Sequence, residues 1–103
     1  MTEAQPAAAA AAAAASSAFA VEQAWQLNPQ VALRDESFGA LAYHYGNRRL
    51  VFLKSRTLVA LVSSLQDYPS AAEAIAAVVP EGQQDSYRRA LARLAASEVI
   101  GVR

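Results

Sequence analysis

The chain is expected to fold as an α+β domain, a three-stranded antiparallel sheet followed by three helices. Two observations predict this. Apolar residues recur with a period of two up to Leu53, and the period then lengthens to about 3.6. The switch falls at Ser55, a residue type suited to opening a helix. Ahead of this part, Pro6 is followed by alanines from Ala7 to Ala15 and then by Ser16, Ser17 and Ala18. Residues 1–24 are therefore read as an alanine-rich disordered tail, and residues 25–103 as the folded domain. A signal peptide is not expected. Ala18-Phe19-Ala20 imitates a cleavage site, but the segment before it carries Glu3, no lysine or arginine, and only alanine as its apolar part.

Trp25, Leu27, Val31 and Leu33 are apolar at alternate positions, apart from a break at Pro29. Proline suits a strand start, which makes Val31–Arg34 the first strand. The polar run Arg34-Asp35-Glu36-Ser37 turns the chain into a hairpin. Its strands are Gly39–Tyr45 and Arg48–Leu53, joined by Gly46-Asn47. With Gly46 at positive φ in a type II′ turn, Tyr45 pairs with Arg48, Tyr43 with Leu50 and Leu41 with Phe52. Directly paired residues share a face. Leu41, Tyr43, Tyr45, Leu50 and Phe52 form the bulkier face, which is expected to face the core. Ala40, Ala42, His44, Arg49, Val51 and Leu53 form the other. The same turn predicts that Arg49, Val51 and Leu53 aim their backbone groups away from the hairpin, as a template for a partner strand.

Beyond Leu53, Leu58, Val59, Leu61, Val62 and Leu65 make one helical stripe that ends at Asp67-Tyr68-Pro69. Ser70 with Glu73 is a capping box that opens a second helix through Ile75 to Val79. After Pro80-Glu81-Gly82, a third helix spans about Asp85 to Ser97. Tyr87, Ala90, Leu91, Leu94 and Ala95 lie on one of its faces, with Arg88, Arg89 and Arg93 elsewhere. Val99–Val102 is a last short strand or an apolar tail end. The three helices after the sheet resemble a winged helix-turn-helix unit.

Composition narrows the function. Lysine plus arginine equals aspartate plus glutamate, so the formal net charge is zero and the basic surplus of a general nucleic-acid binder is missing. No cysteine is present, which excludes disulfides and thiolate chemistry and fits a cytoplasmic location. A single histidine excludes a multi-histidine metal site. No run reaches the length of a membrane span. His44 has no serine or carboxylate pattern around it, and the four glycines are scattered. The chain is therefore expected to have no catalytic residues, no cofactor, no nucleic-acid partner and no membrane partner. A small winged-helix DNA-binding regulator and a self-associating domain are the alternatives to a peptide-binding module.

The motif FGALAYHYGNRRLVFLKS, followed by LVALVSSLQDYPS, resembles the peptide chaperones of mycofactocin biosynthesis. These belong to the precursor-peptide recognition elements typified by the pyrroloquinoline-quinone peptide chaperone. The resemblance runs from about Trp25 to Arg103. It implies that the leader of a ribosomally made precursor peptide adds as a further strand to the hairpin's second strand and rests on the third helix. It also implies delivery of that peptide to a radical S-adenosylmethionine enzyme, which carries the metal clusters and the chemistry. On this chain the implied peptide-binding positions are Arg49, Leu50, Val51, Phe52 and Leu53 on the strand. Tyr87, Arg88, Leu91 and Leu94 are those on the helix.

Overall fold

A computed structural model describes residues 19–103; the alanine run expected to be a tail lies outside them. The elements in order are β1 (Trp25–Leu27), β2 (Val31–Glu36), β3 (Gly39–His44) and β4 (Arg49–Leu53). Helices α1 (Arg56–Ser64), α2 (Ala71–Val78) and α3 (Gln84–Ala96) follow, then β5 (Ile100–Val102). The architecture is α+β as expected. β2, β3 and β4 form the antiparallel meander, in that order across the sheet. A second, two-stranded sheet pairs β1 with β5, with Leu27 opposite Ile100. Within the Val99–Val102 segment, Ile100–Val102 is thus a strand, and its partner is the short alternating run around Trp25.

Local chemistry explains the helices. The Ser55 hydroxyl accepts the Leu58 N–H at 3.1 Å, and the Ser70 hydroxyl accepts the Glu73 N–H at 3.2 Å. Each satisfies a donor that the first helical turn leaves unpaired. A short 3₁₀ turn, Leu65–Asp67, carries the α1 stripe one turn further. α3 ends with Glu98 at φ 65°, the Glu98 N–H on the Ala95 carbonyl and the Val99 N–H on the Leu94 carbonyl. This left-handed cap turns the chain directly into β5.

The ordered body reaches further toward the N-terminus than residue 25. Phe19 is buried against Trp25, with ring centroids 4.9 Å apart, and the Trp25 indole N–H donates to the Ala20 carbonyl at 2.8 Å. The Val21 and Gln23 carbonyls accept the N–H groups of Ala72 and Ala71. Packing onto the domain therefore reaches at least as far back as Phe19, whose ring shields Trp25.

Two readings of the hairpin are corrected. The first concerns the faces. Ala40, Ala42 and Leu53 are fully buried and His44 nearly so, whereas Leu50 and Phe52 are 59% and 55% exposed. The core lies on the small-residue face, because α1 runs directly beneath β3 and β4 and its backbone needs the space that alanines leave. The second concerns the turn. Strand pairing ends at His44 opposite Arg49, and Tyr45–Arg48 form a four-residue loop. Positive φ falls on Arg48, at 62°, and not on Gly46. The His44 ring builds this loop: Nδ1 accepts the N–H groups of Gly46 and Asn47 at 3.0 and 3.2 Å. A Cβ on Gly46 would stand 2.8 Å from that ring, so glycine serves close approach there and not an unusual dihedral.

Candidate peptide-binding edge

β4 is an outer strand of its sheet, and no described strand pairs with its far side. Which residues direct their backbone outward follows from the hydrogen bonds of β3. The Tyr45 N–H donates to the Gln30 carbonyl at 2.7 Å. Tyr45, Tyr43 and Leu41 therefore point their backbone groups toward β2, and Ala40, Ala42 and His44 point theirs toward β4. Two contacts agree. The His44 carbonyl accepts the Arg48 N–H at 2.7 Å, and the Leu53 carbonyl lies so close to Gly39 that a side chain there would collide with it. Arg49, Val51 and Leu53 thus face β3, with the Arg49 N–H also met by the Asn47 side chain at 3.0 Å. The outward pair is Leu50 and Phe52. This reverses the phase expected from a two-residue turn.

Between this edge and α3 lies an open groove of about 250 Å³, lined by Val51, Phe52, Leu53, Ala90, Arg93 and Leu94, with Leu58 and Ser97 at its margins. It continues toward the loop as a more polar recess of about 270 Å³ between Asn47, Arg49, Ser97 and Glu98. Of the residues expected at the site, Val51, Phe52, Leu53 and Leu94 meet in the groove. Arg49 borders its polar extension, and Leu50 stands on the outer side of the edge. Leu91 is fully buried and supports the groove floor without facing it. Tyr87 is half-buried, and its hydroxyl is 2.7 Å from that of Ser55, which ties α3 to the β4–α1 junction.

Arg88 is elsewhere. It pairs with Asp85 and lines a separate pocket with Val21, Ala72, Ile75 and Gln84. One step along a helix is about 100°, enough to carry Arg88 off the face that holds Tyr87. The groove residues that the sequence reading did not assign to the site are Leu58, Ala90, Arg93 and Ser97. A helical signal for most of them is present in the sequence: Ala90, Leu94 and Ser97 follow one another at spacings of four and three, and Arg93 lies three after Ala90.

The Arg88 hydrogen bond holds the Asp85 carboxyl below the ordinary carboxylate range, with the charges of Arg88 and Arg89 adding to it. A lowered folded-state pKa contributes stability above the unfolded pKa, and that contribution is lost as the pH falls through the folded pKa. Asp85→Asn is thus expected to lower stability slightly at neutral pH and to match the parent in strong acid. Urea titrations across that pH range check this.

Among the described residues no group of three histidine, aspartate or glutamate side chains gathers as a metal site, and no helix is long and apolar enough to cross a membrane. The sequence profile of the peptide chaperone MftB family matches residues 24–101. The chain belongs to that family. It is 49% identical over 96 residues to the peptide chaperone MftB of Mycobacterium tuberculosis, covering 92% of this chain and 88% of the relative. The corresponding protein of Mycolicibacterium smegmatis is 48% identical over 80% of this chain and 81% of its own. That of Mycobacterium ulcerans is 47% identical over 81% and 77%. No solved structure matches at a significant level. The family is one of peptide chaperones, which accords with a non-enzymatic role.

Proposed function

We propose that this chain binds the leader of a ribosomally synthesised precursor peptide by strand addition to β4. It then presents that peptide to a radical S-adenosylmethionine maturase in mycofactocin biosynthesis. In this reading α1–α3 are the winged-helix-like trio of such modules, and all the chemistry belongs to the maturase. The observation that carries the proposal is the unpaired β4 edge beside a groove floored by Val51, Leu53 and Leu94. Strand addition draws affinity from main-chain hydrogen bonds and specificity from pockets for alternate side chains. Here Leu50 and Phe52 supply the former and the groove the latter. Peptide residues facing the groove meet its apolar end near Leu58 and the cations Arg93 and Arg49 toward the loop. An apolar residue followed by a carboxylate suits that gradient.

Calorimetry with the precursor and with its leader alone tests the proposal. Binding tighter than about 100 μM, roughly 5.5 kcal/mol, is expected for both. A leader that shows no heat at that concentration overturns it. Ala90→Phe fills the groove from the α3 side at a half-exposed position. It is expected to weaken leader binding at least about tenfold, or 1.4 kcal/mol, while the melting temperature stays near that of the parent.

A further inference from the structure

The outer face of the β3–β4 hairpin is apolar, and no described element covers it. Phe38, Tyr45, Leu50 and Phe52 are all well exposed there, and Leu41 and Tyr43 fill the space between. The side chains are organised: the Phe38 and Phe52 rings lie 5.8 Å apart, and those of Tyr43 and Tyr45 meet edge to face at 5.4 Å. An antiparallel sheet with one solvated face normally turns polar residues outward. This hairpin turns Leu41, Tyr43, Leu50 and Phe52 outward and Ala40 and Ala42 inward. A contiguous patch of that kind marks an interaction surface.

Charge and continuity identify the occupant. Arg34 on this face is paired with Glu36 at 2.9 Å. Arg48 and Lys54, exposed at the two ends of β4, have no carboxylate partner among the described residues. A second copy related by a two-fold axis through the patch would bring these cations against each other, which disfavours self-pairing. A partner whose apolar surface is bordered by carboxylates fits both features. The patch also continues into the β4 edge. A strand added there bonds to Leu50 and Phe52, and every second side chain of it comes to lie level with theirs on this outer face.

We propose that the outer sheet face docks a folded protein partner bearing an acid-bordered apolar surface, and that the bound leader strand completes the surface this partner reads. The inference rests on the function proposed above and assigns the partner to the maturase. Binding of leader and maturase is then cooperative, because the maturase touches both chains.

The variant Phe38→Ser/Tyr45→Ser/Lys54→Glu tests this, with Lys54→Glu alone as an exposed substitution that leaves every apolar contact in place. Maturase binding is measured by interferometry with and without saturating leader, beside leader calorimetry and thermal melting. The parent is expected to bind maturase more tightly with leader present and more weakly as salt rises. The triple variant should lose at least about tenfold in maturase affinity and the single variant about threefold, both keeping leader affinity within about twofold. Parent-like maturase binding by the triple variant overturns the inference, as does a parent that fails to bind maturase. So does a parent dimer in sedimentation that the triple variant abolishes. Failure of the leader to bind the parent sinks the proposed function, whereas loss confined to the maturase arm bears on this surface alone.

Discussion

Phe52→Pro is expected to abolish leader binding and leave the melting temperature near that of the parent, while Val51→Pro, one residue away, markedly destabilises the domain. Proline removes a backbone N–H, so the outcome depends on where that N–H points. At Phe52 it points away from the sheet into the space an added strand would occupy, a position that edge strands tolerate. The fold loses no ladder bond, and the side chain removed is already more than half exposed. The incoming peptide loses a main-chain partner and meets the proline ring in its place. At Val51 the N–H serves Ala42, whose residue is buried. Leaving that carbonyl without a donor costs about 1–3 kcal/mol. In a domain of this size that is a shift of roughly 10 °C in melting temperature. Circular dichroism melting with leader calorimetry on both variants separates the two effects. A Val51→Pro protein that keeps the parent's melting temperature but does not bind, beside a Phe52→Pro protein whose melting temperature falls, would show that the strand has the opposite phase.

The phase could not be obtained from the turn residues, and the reason is geometric. A two-residue loop closed by Tyr45 and Arg48 and a four-residue loop closed by His44 and Arg49 share the same centre. Both therefore give Leu41 opposite Phe52 and Tyr43 opposite Leu50, and the structure has those pairs. Moving the closing pair by one residue nevertheless exchanges inward for outward along the whole strand. What selects the longer loop is the His44 ring accepting two loop N–H groups, a tertiary use of a side chain that turn statistics for Gly-Asn do not contain. The helices were more legible because their signals are local. Ser55 and Ser70 cap where a serine before an apolar stripe should, and α3 differs from its expected span by one residue at each end. Legibility of the groove was intermediate. Of the positions the resemblance implied, Val51, Phe52, Leu53 and Leu94 line the groove, Ala90 was placed on the right helix face without being assigned to the site, and Arg88 lies off that face. The core face was misread because bulk was equated with burial, although a helix lying flat on a sheet admits only small side chains beneath its axis.

That inversion gives the second large effect, in which adding apolar volume harms and removing it does not. Ala42→Leu places three further carbons against α1 at a position with 1% exposure. Overpacking of this sort costs about 1–3 kcal/mol. Small domains begin near the lower end of the roughly 5–15 kcal/mol range of folding stability. Leu50→Ala removes the same three carbons from a side chain that is 59% exposed, and a change within about 0.5 kcal/mol is expected. Urea denaturation of the two variants measures the difference directly, and a costly Leu50→Ala beside a tolerated Ala42→Leu would show that the sheet packs the other way up. The same pair bears on function. Leu50 would be retained for what binds outside the domain, and Ala42 for what must fit within it. If stability depends on the alanines, the exposed leucine and aromatics have no structural reason to be as large as they are. Their size is then explained by the partners that reach the edge and outer face of this sheet.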